Sequence, residues 1–179
     1  MKLTQGQHPG GDPPDTSQWV ALHWDSIYKL LYRLSGGSRH ETEDLTQETF
    51  LRAIERRESF AAGTNLRAWL SRIATNAFLD RQRRKKVMKI TSLPEELPQA
   101  DQSVAAPGKA LEAGELHASV AIAIAALPET PRAVFLLRSQ QEMSFREIAE
   151  TLGTTEETAR WHMMQARKLL VARLGNKLA

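Results

Sequence analysis

Residues 65–86, NLRAWLSRIATNAFLDRQRRKK, constrain the chain most. Leu66, Trp69, Leu70, Ile73 and Ala77 recur at i, i+3, i+4, i+7 and i+11, which is one apolar stripe of a long helix. Such a stripe must be buried against other elements, and Trp69 at this spacing reads as part of that core. At about 100° per residue, Asn65, Arg72, Asn76 and Arg83 gather on one flank of the stripe. The helix closes on Arg81, Arg83, Arg84, Lys85 and Lys86, with Lys89 just beyond. Cations here complement the helix macrodipole. A basic end beside an amide-bearing flank also suits a nucleic-acid backbone. The helix alone leaves both readings open.

The segments before it supply the packing partners. Residues 19–34 carry Val20, Trp24, Ile27, Leu30, Leu31 and Leu34 at helical spacing, and Ser35-Gly36-Gly37-Ser38 stops that helix. A second helix is expected over 41–57, with Leu45, Thr49, Phe50, Ala53 and Ile54 inward. Glu41, Asp44, Glu48 and Glu55 share the opposite arc, with Gln47 at its margin. Acids near a helix start follow from the macrodipole. Catalytic or metal-binding carboxylates would need His or Cys partners at ligand spacing, and none is there. A docking surface for a basic protein partner is the third reading, because complementary charge steers association and sets register. Residues 59–65, SFAAGTN, then form a loop of small residues, with Thr64 or Asn65 as cap of the long helix. Such a loop beside an amide-bearing flank is either a plain connection or a holder for an unstacked base.

After the long helix the periodicity lapses. Residues 91–114 contain Pro94, Pro98, Pro107, Gly108 and Gly114, which reads as a flexible linker with room for a short helix near 108–113. Residues 1–18 read as a disordered leader. The expected organisation is therefore all-α, with helical domains at 19–90 and 115–179 on either side of the linker. In the second domain, helices are expected over 115–127 and 130–141. Ser144-Phe145-Arg146-Glu147 then fits a capping box ahead of Ile148, Ala149 and Leu152. Gly153 makes the turn, and Thr154-Thr155-Glu156-Glu157 offers a second cap and box. A last helix over 155–174 buries Ala159, Met163, Ala166, Leu170 and Leu174. Two capped helices around one glycine form a helix-turn-helix pattern, in which the start of the second helix enters the major groove. Its outward residues are Glu156, Glu157, Arg160, Trp161 and Met164, followed by Arg167, Lys168 and Arg173. An αα-hairpin without a DNA role is the plainer alternative.

Composition narrows the function classes. The 179 residues are 41% hydrophobic and 25% charged, with net charge +3 and pI about 9.4. There is no cysteine, so disulfides, thiolate zinc sites and a cysteine nucleophile are excluded. No apolar run approaches the about 20 residues of a membrane span. No nucleophile, metal cluster, phosphate loop or cofactor motif stands out, so an enzyme is the least favoured class.

Three stretches together carry a resemblance. ETEDLTQETFLRAI, the long helix NLRAWLSRIATNAFLDRQRRKK and ALPETPRAVFLLRSQQEMSFREIAETLGTTEETARWHMMQARKLL resemble bacterial RNA polymerase sigma factors of the extracytoplasmic-function (ECF) subfamily. The likeness runs over about 19–174. It implies a cytoplasmic specificity subunit without catalytic residues or cofactor. Its partners would be core RNA polymerase (the β′ clamp helices and the β subunit), promoter DNA and an anti-sigma factor, with no membrane insertion. By resemblance, Asp44, Gln47 and Glu48 dock on polymerase. Phe60, Gly63, Asn65, Arg72, Asn76, Arg81, Arg83, Arg84 and Lys85 handle the −10 element. Thr155, Glu156, Glu157, Arg160, Trp161, Met164, Arg167 and Lys168 handle the −35 element. The chain departs from the family pattern at Trp161, where a small residue is common, and at His162 and Gln165, where arginine is common. Two rival classes are a stand-alone helix-turn-helix regulator and a helical adaptor. The regulator leaves the acidic stripe and Arg81–Lys86 unexplained; the adaptor leaves the helix-turn-helix unexplained.

Overall fold

A computed structural model of the protein describes residues 16–60, 65–91 and 113–175. Every regular element among them is helical. In order they are α1 (Thr16–Leu34), α2 (Arg39–Glu55), a 3-10 turn (Arg57–Ser59), α3 (Leu66–Thr91), α4 (Ala113–Ala125), α5 (Glu129–Ser139), α6 (Phe145–Leu152) and α7 (Glu156–Leu174). The leader and most of the expected linker lie outside the described residues. Helix α1 nevertheless begins at Thr16, three residues inside the stretch expected to be irregular, and α3 runs five residues past Lys86.

Helices α1, α2 and α3 form the first half. Ile27, Leu30, Leu31 and Leu34 of α1 and Leu45, Phe50 and Ala53 of α2 are buried with Leu70, Ile73, Ala77 and Phe78 of α3. The stripe anticipated for α3 is thus the packed face, with Leu66 and Trp69 half-buried at its N-terminal end. On α1 the assignment of aromatics differs from expectation. Trp24 remains 37% exposed and stacks on Phe50 with centroids 5.6 Å apart, while Trp19 is the buried residue. Helix α2 buries polar residues too. Thr42, Thr46 and Thr49 reach the core because each hydroxyl donates to the carbonyl four residues back, at 2.6, 2.7 and 2.6 Å. Ser38 is its N-cap.

Helices α4 to α7 form the second half, and the helix-turn-helix is present. Ser144 and Glu147 complete the capping box: the Ser144 N–H donates to Glu147 Oε2 at 2.7 Å, and the Glu147 N–H to Ser144 Oγ at 3.2 Å. The Ser144 hydroxyl, which also donates to Glu147 Oε2 at 2.7 Å, and then the Ser144 N–H hold the Glu147 carboxyl below the usual carboxylate range. Gly153 adopts φ 63°, a left-handed cap that costs glycine little. Thr155 caps α7 through the Thr158 N–H at 3.1 Å. The reciprocal box expected there is absent because the third helical position is Thr158, whose hydroxyl meets that of Thr155 at 2.9 Å. Ala159, Met163, Ala166 and Leu170 face inward, while Leu174 is half-buried.

The two halves were expected to be tethered; they pack together and their buried residues form one apolar cluster. Arg132 of α5 closes one end of the seam. Its Nη1 donates to Leu34 O at 2.6 Å, and its Nη2 and Nε donate to Leu127 O at 2.8 and 3.2 Å. One guanidinium thereby satisfies carbonyls at the ends of two helices, groups with no intrahelical partner. Arg67 of α3 closes the other end, donating from Nε to Gln141 Oε1 at 2.8 Å and from Nη2 to Gln140 O.

Candidate nucleic-acid interface

The flank of α3 foreseen as functional comes together on one side of a cleft. Arg72, Asn76 and Arg83 line a space of about 480 Å³ between α3, the end of α2 and the turn after α6. Asn76 offers its amide there with no hydrogen-bond partner among the described residues. The cleft also contains Arg52 and Arg56 of α2, which the sequence reading did not single out. Their i, i+4 spacing on the flank facing α3 was the available signal. Residues 150–153 of the helix-turn-helix close the opposite side, and Arg72 Nη2 lies 3.2 Å from Glu150 Oε2.

The remaining residues assigned to the −10 element are dispersed. Phe60 is half-buried in an edge-to-face triad with Trp19 and Trp69, at centroid distances of 5.7 and 5.4 Å. Its ring packs on both tryptophans, a contact the sequence reading did not foresee, while part of the residue stays at the surface. Trp19 and Trp69 complete the triad at 5.6 Å. Asn65 caps α3 by accepting the Ala68 N–H at 3.3 Å. Gly63 lies outside the described residues. Arg83 and Arg84 are exposed; Arg83 pairs with Asp80 at 3.1 Å, and Arg84 reaches the Asp80 carbonyl at 3.4 Å.

Arg81 and Lys85 turn instead toward α2. Arg81 lies 3.0 Å from Glu48 Oε2 and 3.7 Å from Asp44 Oδ2, and Lys85 lies 2.7 Å from Glu41 Oε1. Glu41 also accepts from Gln82 at 3.0 Å, and Glu48 from Arg52. The acidic stripe therefore has a basic partner within the chain itself, which the sequence reading did not anticipate. Glu41 and Glu48 are largely taken up by this internal pairing. Asp44 keeps 48% of its side chain exposed, Gln47 is exposed, and Leu51 one turn on is 62% exposed. Asp44, Gln47 and Leu51 share one helix face by their spacing.

On α7 all eight expected residues are at the surface: Thr155, Glu156, Glu157, Arg160, Trp161, Met164, Arg167 and Lys168. Trp161 is 51% and Met164 62% exposed. Arg160 pairs with Glu156 at 3.3 Å. His162 is half-buried against the Trp161 ring, with centroids 4.9 Å apart. Burial pushes its pKa down, opposed by a hydrogen bond with Gln165.

Comparison with known proteins agrees with this geometry. The family model for Sigma-70 region 2 matches residues 19–87, covering α1 to α3, and that for Sigma-70, region 4 matches residues 119–170, covering most of α4 to α7. The ECF RNA polymerase sigma factor SigW of Bacillus subtilis is 34% identical over 167 residues, which is 89% of each chain. The chain belongs to the ECF sigma factors. SigE of Mycolicibacterium smegmatis is 36% identical over 157 residues; the match takes in 88% of this sigma factor but 60% of the length of that relative. Among solved structures, the sigma factor RpoE of Bartonella quintana, in complex with the anti-sigma factor NepR, superposes with a TM-score of 0.66 at 23% identity. That match covers 89% of this chain and 96% of the other. CnrH, solved with the cytosolic domain of CnrY, gives 0.60 at 25% identity over 90% of this chain and 88% of its own. Both match the all-helical fold across the two halves. No helix among the described residues is long and apolar enough to cross a membrane.

Proposed function

We propose that this sigma factor docks on core RNA polymerase through the exposed turn of α2, opens the −10 element in the α3 cleft and reads the −35 duplex with α7. Asp44 and Gln47 present the polar contacts of the docking face, and Leu51 supplies an apolar anchor between them and the end of the helix. Glu48 and Glu41 act through Arg81 and Lys85, bracing α2 against α3 so that this face is rigid. Asn76 offers an amide to the edge of an extruded base. Arg72, Arg83 and Arg84 bind the flanking phosphates, and Arg72 exchanges its Glu150 partner for phosphate as the strand enters. Unstacking a base costs a few kcal/mol, which contacts on the extruded base offset. Neither half needs high affinity for DNA alone, because polymerase holds both at high effective concentration. The polymerase performs the chemistry, in the cytoplasm where it meets the chromosome. An anti-sigma protein is the proposed restraint on the free factor.

The observation that carries this reading is the convergence of Arg72, Asn76 and Arg83 in one cleft, on a helix whose other face is fully committed to the core. The test is permanganate reactivity of −10 thymines in complexes of polymerase, sigma factor and promoter. Asn76→Ala should lower the reactivity while core binding is unchanged. Equal reactivity in wild type and variant would remove Asn76 and the cleft from the melting step.

A further inference from the structure

Phe145 stands at the first position of α6, directly after the capping serine, and its ring packs on the core with one part left open. Two guanidiniums converge on it from different helices. The Arg160 Cζ of α7 lies 4.7 Å from the ring centroid, and the Arg138 Cζ of α5 lies 5.3 Å away. Like charges do not gather round one ring without compensation. Here it comes from the π face, from the Met143 carbonyl accepting from Arg138 Nη1 at 2.8 Å, and from Glu156 beside Arg160. The capping box anchors the backbone beneath the ring, so the ring itself is a fixed reference.

We infer that Phe145 is a positioning residue for −35 recognition: its ring holds the Arg160 guanidinium in one orientation before DNA arrives. The inference rests on the reading of α7 as the duplex-contacting helix. A free arginine must give up rotamer freedom to form a two-pronged contact with a base edge, and a planar fork already stacked on a ring gives up less. Phe145 never touches DNA; it sharpens the discrimination that Arg160 exerts. A cation–π contact at an exposed site corresponds to about a two- to fivefold change in an equilibrium.

The experiment is run-off transcription by the reconstituted holoenzyme on one promoter carrying all single base-pair changes of its −35 element. Phe145→Leu keeps apolar bulk and removes the π face; Phe145→Tyr keeps the face. Arg160→Ala first identifies the base pair that Arg160 discriminates. Phe145→Leu should flatten preference at that same base pair by about two- to fivefold, and Phe145→Tyr should restore it. Phe145→Leu combined with Arg160→Ala should be no flatter than Arg160→Ala alone. A uniform loss of output across the library, equal in both Phe145 variants, would overturn the positioning role and leave packing. If Phe145→Leu fails to fold, the Phe145→Tyr and wild-type profiles still decide. Preference at the Arg160 base pair must survive the tyrosine, and its loss refutes the inference. If Arg160→Ala flattens no base pair, the assignment of Arg160 to base reading fails, and this inference falls with it.

Discussion

Replacing Arg67 with Met should loosen the two halves of this sigma factor from each other. Methionine keeps much of the aliphatic stem and removes both donors, so packing and hydrogen bonding are separated. Arg67 donates across the seam to Gln141 Oε1 and Gln140 O. Gln141 is only 7% exposed, and after the change its Oε1 keeps only Ser71 Oγ at 3.3 Å. Hydrogen bonds from a charged donor contribute about 1.5–3 kcal/mol each where they are buried. Arg67 is half-buried, so a combined loss of about 2 kcal/mol is the appropriate scale, or about 30-fold in the equilibrium between packed and separated halves. The other polar links are weaker or independent. Arg33 Nη1 reaches Gln140 Oε1 at 3.2 Å in an exposed contact, and Arg72–Glu150 and Lys86–Glu129 are partly exposed ion pairs worth about 0–1 kcal/mol each and screened by salt. Arg132 survives as the second clasp, so the halves should separate more often without losing their own folds. The chain has no cysteine, which makes the assay simple. Dyes at Glu43→Cys on α2 and Ala172→Cys on α7, both exposed positions, report separation by single-molecule energy transfer. Arg67→Met should raise the low-transfer population far more than a change from 0.1 to about 0.5 M salt does. An unchanged transfer distribution in Arg67→Met would refute the claim that this clasp holds the seam.

Three further outcomes are expected. Asp44→Lys should weaken core polymerase binding about tenfold, mainly through the association rate. Binding of duplex DNA should be unaffected, and equal core affinity would take Asp44 out of the docking face. Ser144→Ala should cost about 1 kcal/mol by deleting the capping box, lowering Tm by about 2–4 °C in a scan of the purified chain. His23 and His162 should make the fold acid-sensitive. Burial pushes both pKa values below 6.5, with the Arg67 charge adding to the effect at His23. The unfolded chain then takes up protons first, so stability is full above about 6.5, falls as pH drops below it, and levels off beneath the folded pKa values. A Tm series from pH 8 to 5 checks this, and His23→Gln with His162→Gln should flatten it.

The helices were legible because burial imposes a period. The stripe from Leu66 to Ala77 named the packed face of α3, and Ser144, Glu147 and Gly153 located the helix-turn-helix from local chemistry alone. The flank of Arg72, Asn76 and Arg83 was readable for the same reason, since positions on one helix have fixed angular relations. What lay beyond the sequence was the identity of the neighbour across each face. Glu41 and Glu48 looked like an outward acidic stripe, yet Lys85 and Arg81, 44 and 33 positions on, meet them from α3. Phe60 sat in a loop of small residues, and nothing in its spacing indicated that Trp19 and Trp69 would pack against its ring. Arg67, Arg132 and Gln141 carried no periodic signal at all. Their roles come from contacts across 73, 98 and 70 positions, which only the tertiary arrangement creates.

The most direct measurement is transcription by core polymerase on fragments of the source genome, with and without this sigma factor. The account predicts discrete start sites that appear only when the chain is added and share two upstream elements. It also predicts that Asn76→Ala and Arg160→Ala impair use of the element nearer to and farther from the start, respectively. No initiation and no complex with core polymerase, alongside duplex DNA binding by the chain alone, would contradict the account.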